Sequence, residues 1–132
     1  MEFNTIIKDK LSTLLESVGF KIKADSKDLV TFKSDAITIK FSYNKYEYDC
    51  LYFINLNNND TAYEDFIVEG YLKIIEEPLS SIELWATRKC IYFETFKDTL
   101  LKGDEKFYSG LNEYLKKVTK EYNRKSTRGK QH

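Results

Sequence analysis

The feature that most constrains this chain is a run of four short strand patterns between residues 20 and 56. In the third pattern, Ile37, Ile39 and Phe41 alternate with polar residues, and this period of two is typical of a strand with one buried face. Short connections join the patterns, so the sequence predicts an antiparallel four-stranded meander. The four predicted strands span residues 20–24, 29–34, 36–43 and 50–56.

Helical periodicity is present before and after the meander. The N-terminal helix has apolar residues spaced by three and four, with Asn4 as the predicted N-cap and Gly19 as the left-handed residue that ends it. Capping boxes at residues 61–64 and 80–83 predict the starts of the second and third helices, and Asp104 is predicted to cap the fourth. The four predicted helices span residues 3–18, 61–75, 81–102 and 105–122.

These patterns define the expected fold class. The order αββββααα predicts an α+β fold, in which helices cover one antiparallel sheet. A chain of 132 residues is long enough for one domain with a sizeable core. We expect a single domain over residues 1–123 and a disordered basic tail over residues 124–132, because the tail has no apolar residue after position 123.

Charge is unevenly distributed along the chain. The formal net charge is zero, yet residues 114–132 contain seven bases and one acid. The body of the protein is therefore acidic and its C-terminal end is basic. Such an asymmetry marks either a partner surface or a solubilising terminus.

Several classes of chemistry lack the residues that they need. The only histidine is His132, in the predicted tail, and no glycine-rich phosphate loop is present. Cys50 and Cys90 lie far apart among apolar residues, which predicts two buried, reduced thiols. We therefore expect no catalytic residue, no metal site and no cofactor. Without a membrane-span pattern or an N-terminal signal pattern, we expect a cytoplasmic location and no membrane partner.

The most suggestive surface is the predicted outer face of the second helix. There, acidic residues surround Val68 and Leu72, an arrangement suited to a basic protein partner. The hairpin before it repeats the combination of tyrosine and acid. The alternative is that Val68 and Leu72 are ordinary exposed residues, or that a later helix covers them. The predicted partner-binding residues are Tyr46, Glu47, Tyr48, Asp49, Glu64, Asp65, Val68, Glu69, Leu72 and Glu76.

Three other functions remain open from the residues alone, and the plainest is a structural subunit of some assembly. Paired carboxylates, as in Glu64–Asp65 and Glu76–Glu77, serve acid–base or metal chemistry when they converge in a pocket. We expect them to lie on a solvated surface instead, without a common pocket. A basic tail could also contact nucleic acid, but the acidic body would repel the same phosphates. A protein is therefore the favoured partner.

Several short segments of the chain form a familiar combination. They are residues 14–20 (LLESVGF), 30–34 (VTFKS), 39–43 (IKFSY) and 100–104 (LLKGD), followed by Phe107, Leu111 and Tyr114. Together they resemble small uncharacterised bacterial proteins that are encoded beside polymorphic or contact-dependent toxins and are regarded as immunity proteins. The resemblance covers residues 3–122 and implies a non-enzymatic inhibitor whose acidic surface occludes a toxin's active site, often that of a basic nuclease.

Overall fold

The protein has an α+β fold built on one five-stranded sheet. The structure is a computed structural model that describes residues 2–74 and 76–130, with side chains described up to residue 124. Within that part there are five strands and four helices. In chain order they are α1 (Phe3–Ser17), β1 (Lys21–Ser26), β2 (Leu29–Lys33), β3 (Ile37–Asn44), β4 (Asp49–Leu56), β5 (Tyr63–Glu64), α2 (Asp65–Tyr71), α3 (Ile82–Thr95) and α4 (Glu105–Lys130).

The strands form an antiparallel meander in the order β1-β2-β3-β4-β5. Across it, Phe32 lies opposite Ile39, Ile39 opposite Ile54, and Ile54 opposite Tyr63. All four side chains are buried, so one apolar row runs from β2 to β5. The predicted strand register is confirmed, because alternate residues of β3 are buried in the same core as the helix α1 stripe.

Helix α1 packs on β1 and β2 and along α3. Its buried side chains include Ile7, Leu11 and Leu15, which belong to the predicted stripe. Gly19 follows the helix with a φ of +92°, so its predicted left-handed conformation is confirmed. These features fix the helix on the apolar face of the sheet.

The N-terminal start of α1 differs from the prediction. Glu2 occupies the N-cap position, and its side chain makes no capping hydrogen bond. Asn4 lies inside the helix, where its Nδ2 donates to Asp25 Oδ1 at 2.9 Å. Asn4 Oδ1 accepts a hydrogen bond from Thr5 N at 2.9 Å in the first turn of α1. The amide side chain therefore ties α1 to the edge strand β1 and also satisfies one N–H group at the start of its own helix.

The segment predicted to start the second helix forms the short strand β5. Tyr63 pairs with Ile54 and Glu64 pairs with Phe53, so these residues extend the sheet. The capping box predicted over residues 61–64 was wrong, because Glu64 is the N-cap and makes no side-chain capping bond. Helix α2 then ends at Tyr71, and residues 72–74 are not helical, so the predicted end at residue 75, which itself lies outside the described residues, was too late.

Helix α3 is capped by Ser81, whose Oγ accepts a hydrogen bond from Leu84 N at 3.1 Å. It ends at Thr95, well before the predicted end at residue 102. The Thr95 hydroxyl donates to Ile91 O at 2.8 Å. A side-chain bond of this kind competes with the backbone hydrogen bonds of the helix and often bends it. The chain then turns, and Leu100 and Leu101 enter the core.

Helix α4 begins where the sequence predicts, since Asp104 Oδ2 accepts a hydrogen bond from Phe107 N at 2.9 Å. The helix continues to Lys130, so most of the predicted tail, residues 124–132, belongs to its last turns. Residues 131 and 132 lie outside the described residues, and disorder of the tail in solution stays a prediction. Over residues 2–74 and 76–130, no helix has both the length and the apolar character needed to cross a membrane.

Two glycines allow α2 and α4 to approach closely. The Tyr114 ring lies over Gly70, and the Tyr71 ring lies over Gly110. A β-carbon at either glycine would collide with the facing tyrosine hydroxyl. This reciprocal packing sets the position of α2, whose opposite side borders the cleft described next.

Candidate functional site

A cleft of about 1030 Å³ opens between the β3–β4 hairpin, the start of α2, residues 76–82 and α3. Its lining is acidic, and the carboxylates come from four separate segments. The expectation that these carboxylates share no pocket was wrong, because α3 draws the segment after α2 back toward it through salt bridges. The lining carboxylates are Asp49, Glu64, Asp65, Glu69, Glu76 and Glu77.

One lysine lies at the floor of the cleft. Lys89 Nζ is 2.9 Å from Glu69 Oε1 and 2.7 Å from Glu76 Oε2, and its side chain is 3 % exposed. Arg88 also approaches Glu76, at 3.7 Å. A charge removed from water in this way requires opposite charges beside it, so Lys89 holds α3, α2 and the segment after α2 together.

Three aromatic rings surround the same ammonium group. Lys89 Nζ lies 5.8 Å from the ring centre of Tyr52, 5.4 Å from that of Trp85 and 5.3 Å from that of Tyr92. These distances are within the range of cation–π attraction. The Tyr52 hydroxyl also donates to Glu69 Oε2 at 2.6 Å. Lys89 Nζ donates to three carboxylate oxygens of Glu69 and Glu76, so none of its N–H groups is left to bind solvent.

The two carboxylates on Lys89 ionise at different pH. Burial raises the pKa of Glu69 to about 7, and a hydrogen bond with Glu76 acts in the same direction. For Glu76, burial also favours the neutral acid, but hydrogen bonds with Glu69 and Lys89 outweigh it and lower its pKa. Burial therefore favours the neutral acid more strongly at Glu69, whereas the hydrogen bonds favour the ionised form at Glu76.

Asp65 differs from these acids because no side chain pairs with it within the described residues. Burial raises its pKa to about 6, while the charge of Lys89 and the backbone N–H groups of Phe66 and Tyr52 oppose that rise. At neutral pH it is an ionised, half-buried carboxylate on the cleft wall. An approaching cation would relieve the unfavourable desolvation of this charge.

Exposed aromatic rings stand at the mouth of the cleft. Tyr48 and Phe66 both line it, and they are 83 % and 60 % exposed. Tyr48 has a φ of +52°, a left-handed conformation that a tyrosine rarely adopts. Tyr46, which is 85 % exposed, lies with Glu47 at the tip of the same hairpin. Rings held in water beside acids are typical of a surface that a partner covers.

The structure brings together most of the predicted partner-binding residues. Tyr46 and Glu47 lie beside the cleft on the exposed hairpin tip, as described above. Six of the ten line the cleft itself. They are Tyr48, Asp49, Glu64, Asp65, Glu69 and Glu76.

The apolar centre predicted for this surface was wrong. Val68 is 0 % exposed, and Leu72 is half-buried against the core. The buried residues of α2 are Ile67, Val68 and Glu69, so the inner face is rotated by about one residue from the prediction. Phe66 points to solvent. Residues 63 and 64 pair with β4, so α2 begins only at Asp65, later than the sequence predicts.

Sequence reasoning did not identify Lys89, although a signal for it was present. Trp85, Lys89 and Phe93 are spaced by four residues, so they share one side of α3. A lysine on a side that is otherwise aromatic is rarely buried without an acidic partner. Glu69 and Glu76 were classified as surface acids, and their partner was therefore not sought.

Metal and thiol chemistry receive no support from the described part of the chain. No group of three or more histidine, cysteine or acidic side chains there could hold a metal ion. Cys50 and Cys90 are free and half-buried. Burial raises the pKa of the Cys50 thiol to about 11 and also raises that of Cys90. Both thiols are therefore protonated and poorly nucleophilic at neutral pH.

Comparisons with protein-family models, with curated proteins and with solved structures return no match for this chain.

Proposed function

We propose that this protein is a non-enzymatic binding module whose acidic cleft receives a basic protein partner. The observation that supports this most directly is the convergence of six carboxylates in one cleft with exposed aromatic rings at its mouth. Lys89 pairs with only two of those acids, Glu69 and Glu76. The other four leave the cleft with an excess of negative charge.

The two kinds of group would have separate roles in binding. Exposed carboxylates such as Asp49 and Glu77 would steer a basic partner and raise its association rate. Tyr48 and Phe66 would act as anchors, since aromatic side chains dominate the binding energy of many interfaces. Asp65, half-buried on the wall, would receive a lysine or arginine side chain of the partner.

The nature of the partner rests on the resemblance to immunity proteins. Under this hypothesis, the partner is a toxin domain, and the acidic cleft covers its basic active site. The acidic body of the chain supports this, because like charge would reject acidic proteins. A toxin inhibitor of this kind would act in the cytoplasm of the cell that makes it.

A growth assay in bacteria tests the proposed function. The proposal expects a toxin gene beside the gene for this protein, and it expects co-expression of this protein to restore growth. The double variant Asp49→Lys/Glu77→Lys should lose most of the protection, because both side chains are exposed in the cleft. The matched control Asp9→Lys/Glu16→Lys makes the same charge change on exposed positions of α1 and should protect fully.

Three outcomes would count against the proposal. The absence of protection by the wild-type protein would contradict inhibition of that toxin. Equal loss of protection in the cleft and control variants would show an effect of total charge rather than of the cleft. Full protection by the cleft variant, with the protein folded by circular dichroism, would place the interface elsewhere.

One observation favours a second candidate, an enzyme that uses carboxylates. Asp65 has a pKa of about 6 on the wall of a cleft, which suits a general acid or base near neutral pH. A panel of chromogenic ester and glycoside substrates would test it. Turnover that Asp65→Asn abolishes, and that follows a group titrating near the same pH, would favour the enzyme over the binding module.

A further inference from the structure

The second half of α4 forms an exposed basic ridge that the proposed function does not use. Among the residues of α4 whose side chains the structure describes, Val118 is the last that packs against the core. Every residue from 119 to 124 is exposed, and the helix continues to Lys130. With a rise of 1.5 Å per residue, roughly 18 Å of helix extends past Val118.

The bases of this ridge occupy one side of the helix. Lys116, Lys120 and Arg124 are spaced by four residues, which places successive charges roughly 6 Å apart along the axis. Lys117 lies next to this row, and all four side chains are exposed. The apolar residues Tyr114, Leu115 and Val118 face the core on the other side of the helix.

The ridge has few negative charges to neutralise it. Lys116 pairs with Glu113 at 3.5 Å, and both side chains are well exposed. Within the described residues, Lys117, Lys120 and Arg124 form no ion pair with a carboxylate. The sequence adds three more bases, Lys125, Arg128 and Lys130, after this row.

We propose that this ridge binds the phosphate backbone of duplex DNA without reading its sequence. The row of charges matches a polyanion, and the major groove of B-form DNA is wide enough to admit an α-helix. The major groove of double-stranded RNA is too deep and narrow to admit one. Single strands are usually held by several stacked aromatic rings, whereas residues 116–124 contain one, Tyr122.

The same features distinguish DNA from a membrane surface. A helix that lies on a membrane inserts its apolar face into the lipid. The apolar face of α4 is already packed on the core up to Val118. Contact through phosphates needs only the polar face, which is the face that α4 exposes. The acidic body weakens this contact by repulsion, so affinity should be modest and strongly dependent on salt.

Fluorescence anisotropy with a labelled 20-base-pair duplex tests the proposal. If the four described bases each neutralise one phosphate, the slope of log K against log salt is about −3.6. Affinity then falls about 150-fold between 50 and 200 mM salt. The variant Lys116→Gln/Lys120→Gln/Arg124→Gln should bind at least about tenfold more weakly at 50 mM salt and show a slope of about −1.

A matched control separates the ridge from total charge. Lys21→Gln/Lys23→Gln/Lys27→Gln removes the same charge from exposed positions on and beside β1. The proposal expects this control to bind within about threefold of the wild type, since its lysines make no phosphate contact. Circular dichroism checks that each variant is folded, and Arg124→Gln alone provides a milder change at the ridge.

Each remaining outcome overturns the proposal. Absence of wild-type binding at 50 mM salt would do so, as would equal weakening in the ridge and control variants. Tighter binding to a single strand or to duplex RNA of the same length would assign another ligand. Equal binding to anionic lipid vesicles would show a general attraction to negative surfaces. None of these results bears on the cleft, so the proposed function is tested separately.

Discussion

The acidic cleft and the basic ridge of α4 both concentrate charge of one sign, but the fold treats them differently. In the cleft, burial and a shared lysine join Glu69, Glu76 and Lys89 in one ion-paired network. On the ridge, Lys120 and Arg124 stand in water with no carboxylate partner in the described part of the chain. Charge density alone therefore does not decide a structural role, because burial determines how strongly charges interact.

Two lysines give the largest expected contrast between these regions. Lys89→Ala should lower the free energy of unfolding by about 3–5 kcal/mol, because it leaves two partly buried carboxylates without their cation. Lys120→Ala, on the exposed ridge, should change it by less than about 0.5 kcal/mol. Urea unfolding of both variants measures the difference. Similar small effects in the two variants would show that the floor of the cleft is not a structural network.

The pH dependence of stability gives a second, smaller contrast. Since burial raises the pKa of Asp65 from 3.8 to about 6, the folded protein holds a proton that the unfolded chain releases between these values. The stability due to Asp65 is therefore complete below about pH 4 and is lost as pH rises through about 6. As pH rises from 4 to 7, the free energy of unfolding of Asp65→Asn should therefore increase relative to that of the wild type by roughly 2 kcal/mol.

Urea midpoints of the wild type and Asp65→Asn at pH 4 and pH 7 test this expectation. Most other titrating groups contribute equally to the pH dependence of stability in the two proteins, so their contributions cancel in the difference. A difference that does not change with pH would mean that the carboxyl is well solvated. In that case, the proposal that Asp65 receives a basic side chain of the partner would lose its physical basis.

The smallest expected effect concerns the mouth of the cleft. Tyr48→Asn should raise the free energy of unfolding by about 0.5–1 kcal/mol, because asparagine tolerates a positive φ better than tyrosine. Tyr46→Asn, on the same hairpin tip, should show no such gain, since Tyr46 has no left-handed backbone. Thermal unfolding of both variants provides the measurement. A loss of stability in Tyr48→Asn would mean that the ring stabilises the hairpin through contacts.

The sequence predicted the sheet well because its signal is local. Alternation in β3 fixes which residues face the core, and Gly19 and Asp104 mark helix boundaries through their own backbone chemistry. The fifth strand could not be predicted in the same way. Tyr63 and Glu64 are helical in local pattern, and only their pairing with β4 makes them a strand.

The sequence predicted most of the acidic residues that line the cleft, but not how they are arranged or which residues they contact. Tyr48, Asp49 and Asp65 were selected by residue type, and they do line one cavity. Val68 was misplaced because the rotation of α2 depends on the preceding strand. The role of Lys89 depends on acids that lie 13 and 20 residues before it in the chain. Contacts of that kind follow from the tertiary fold rather than from local periodicity.

The most direct test of the cleft as a recognition surface is the association rate with the basic partner at two salt concentrations. The cleft variant Asp49→Lys/Glu77→Lys should associate at least about tenfold more slowly than the wild type at low salt, with a smaller change in dissociation. The control Asp9→Lys/Glu16→Lys should associate within about threefold of the wild type, and high salt should reduce the difference between the two variants. Equal association rates for the two variants at low salt would contradict recognition through the cleft.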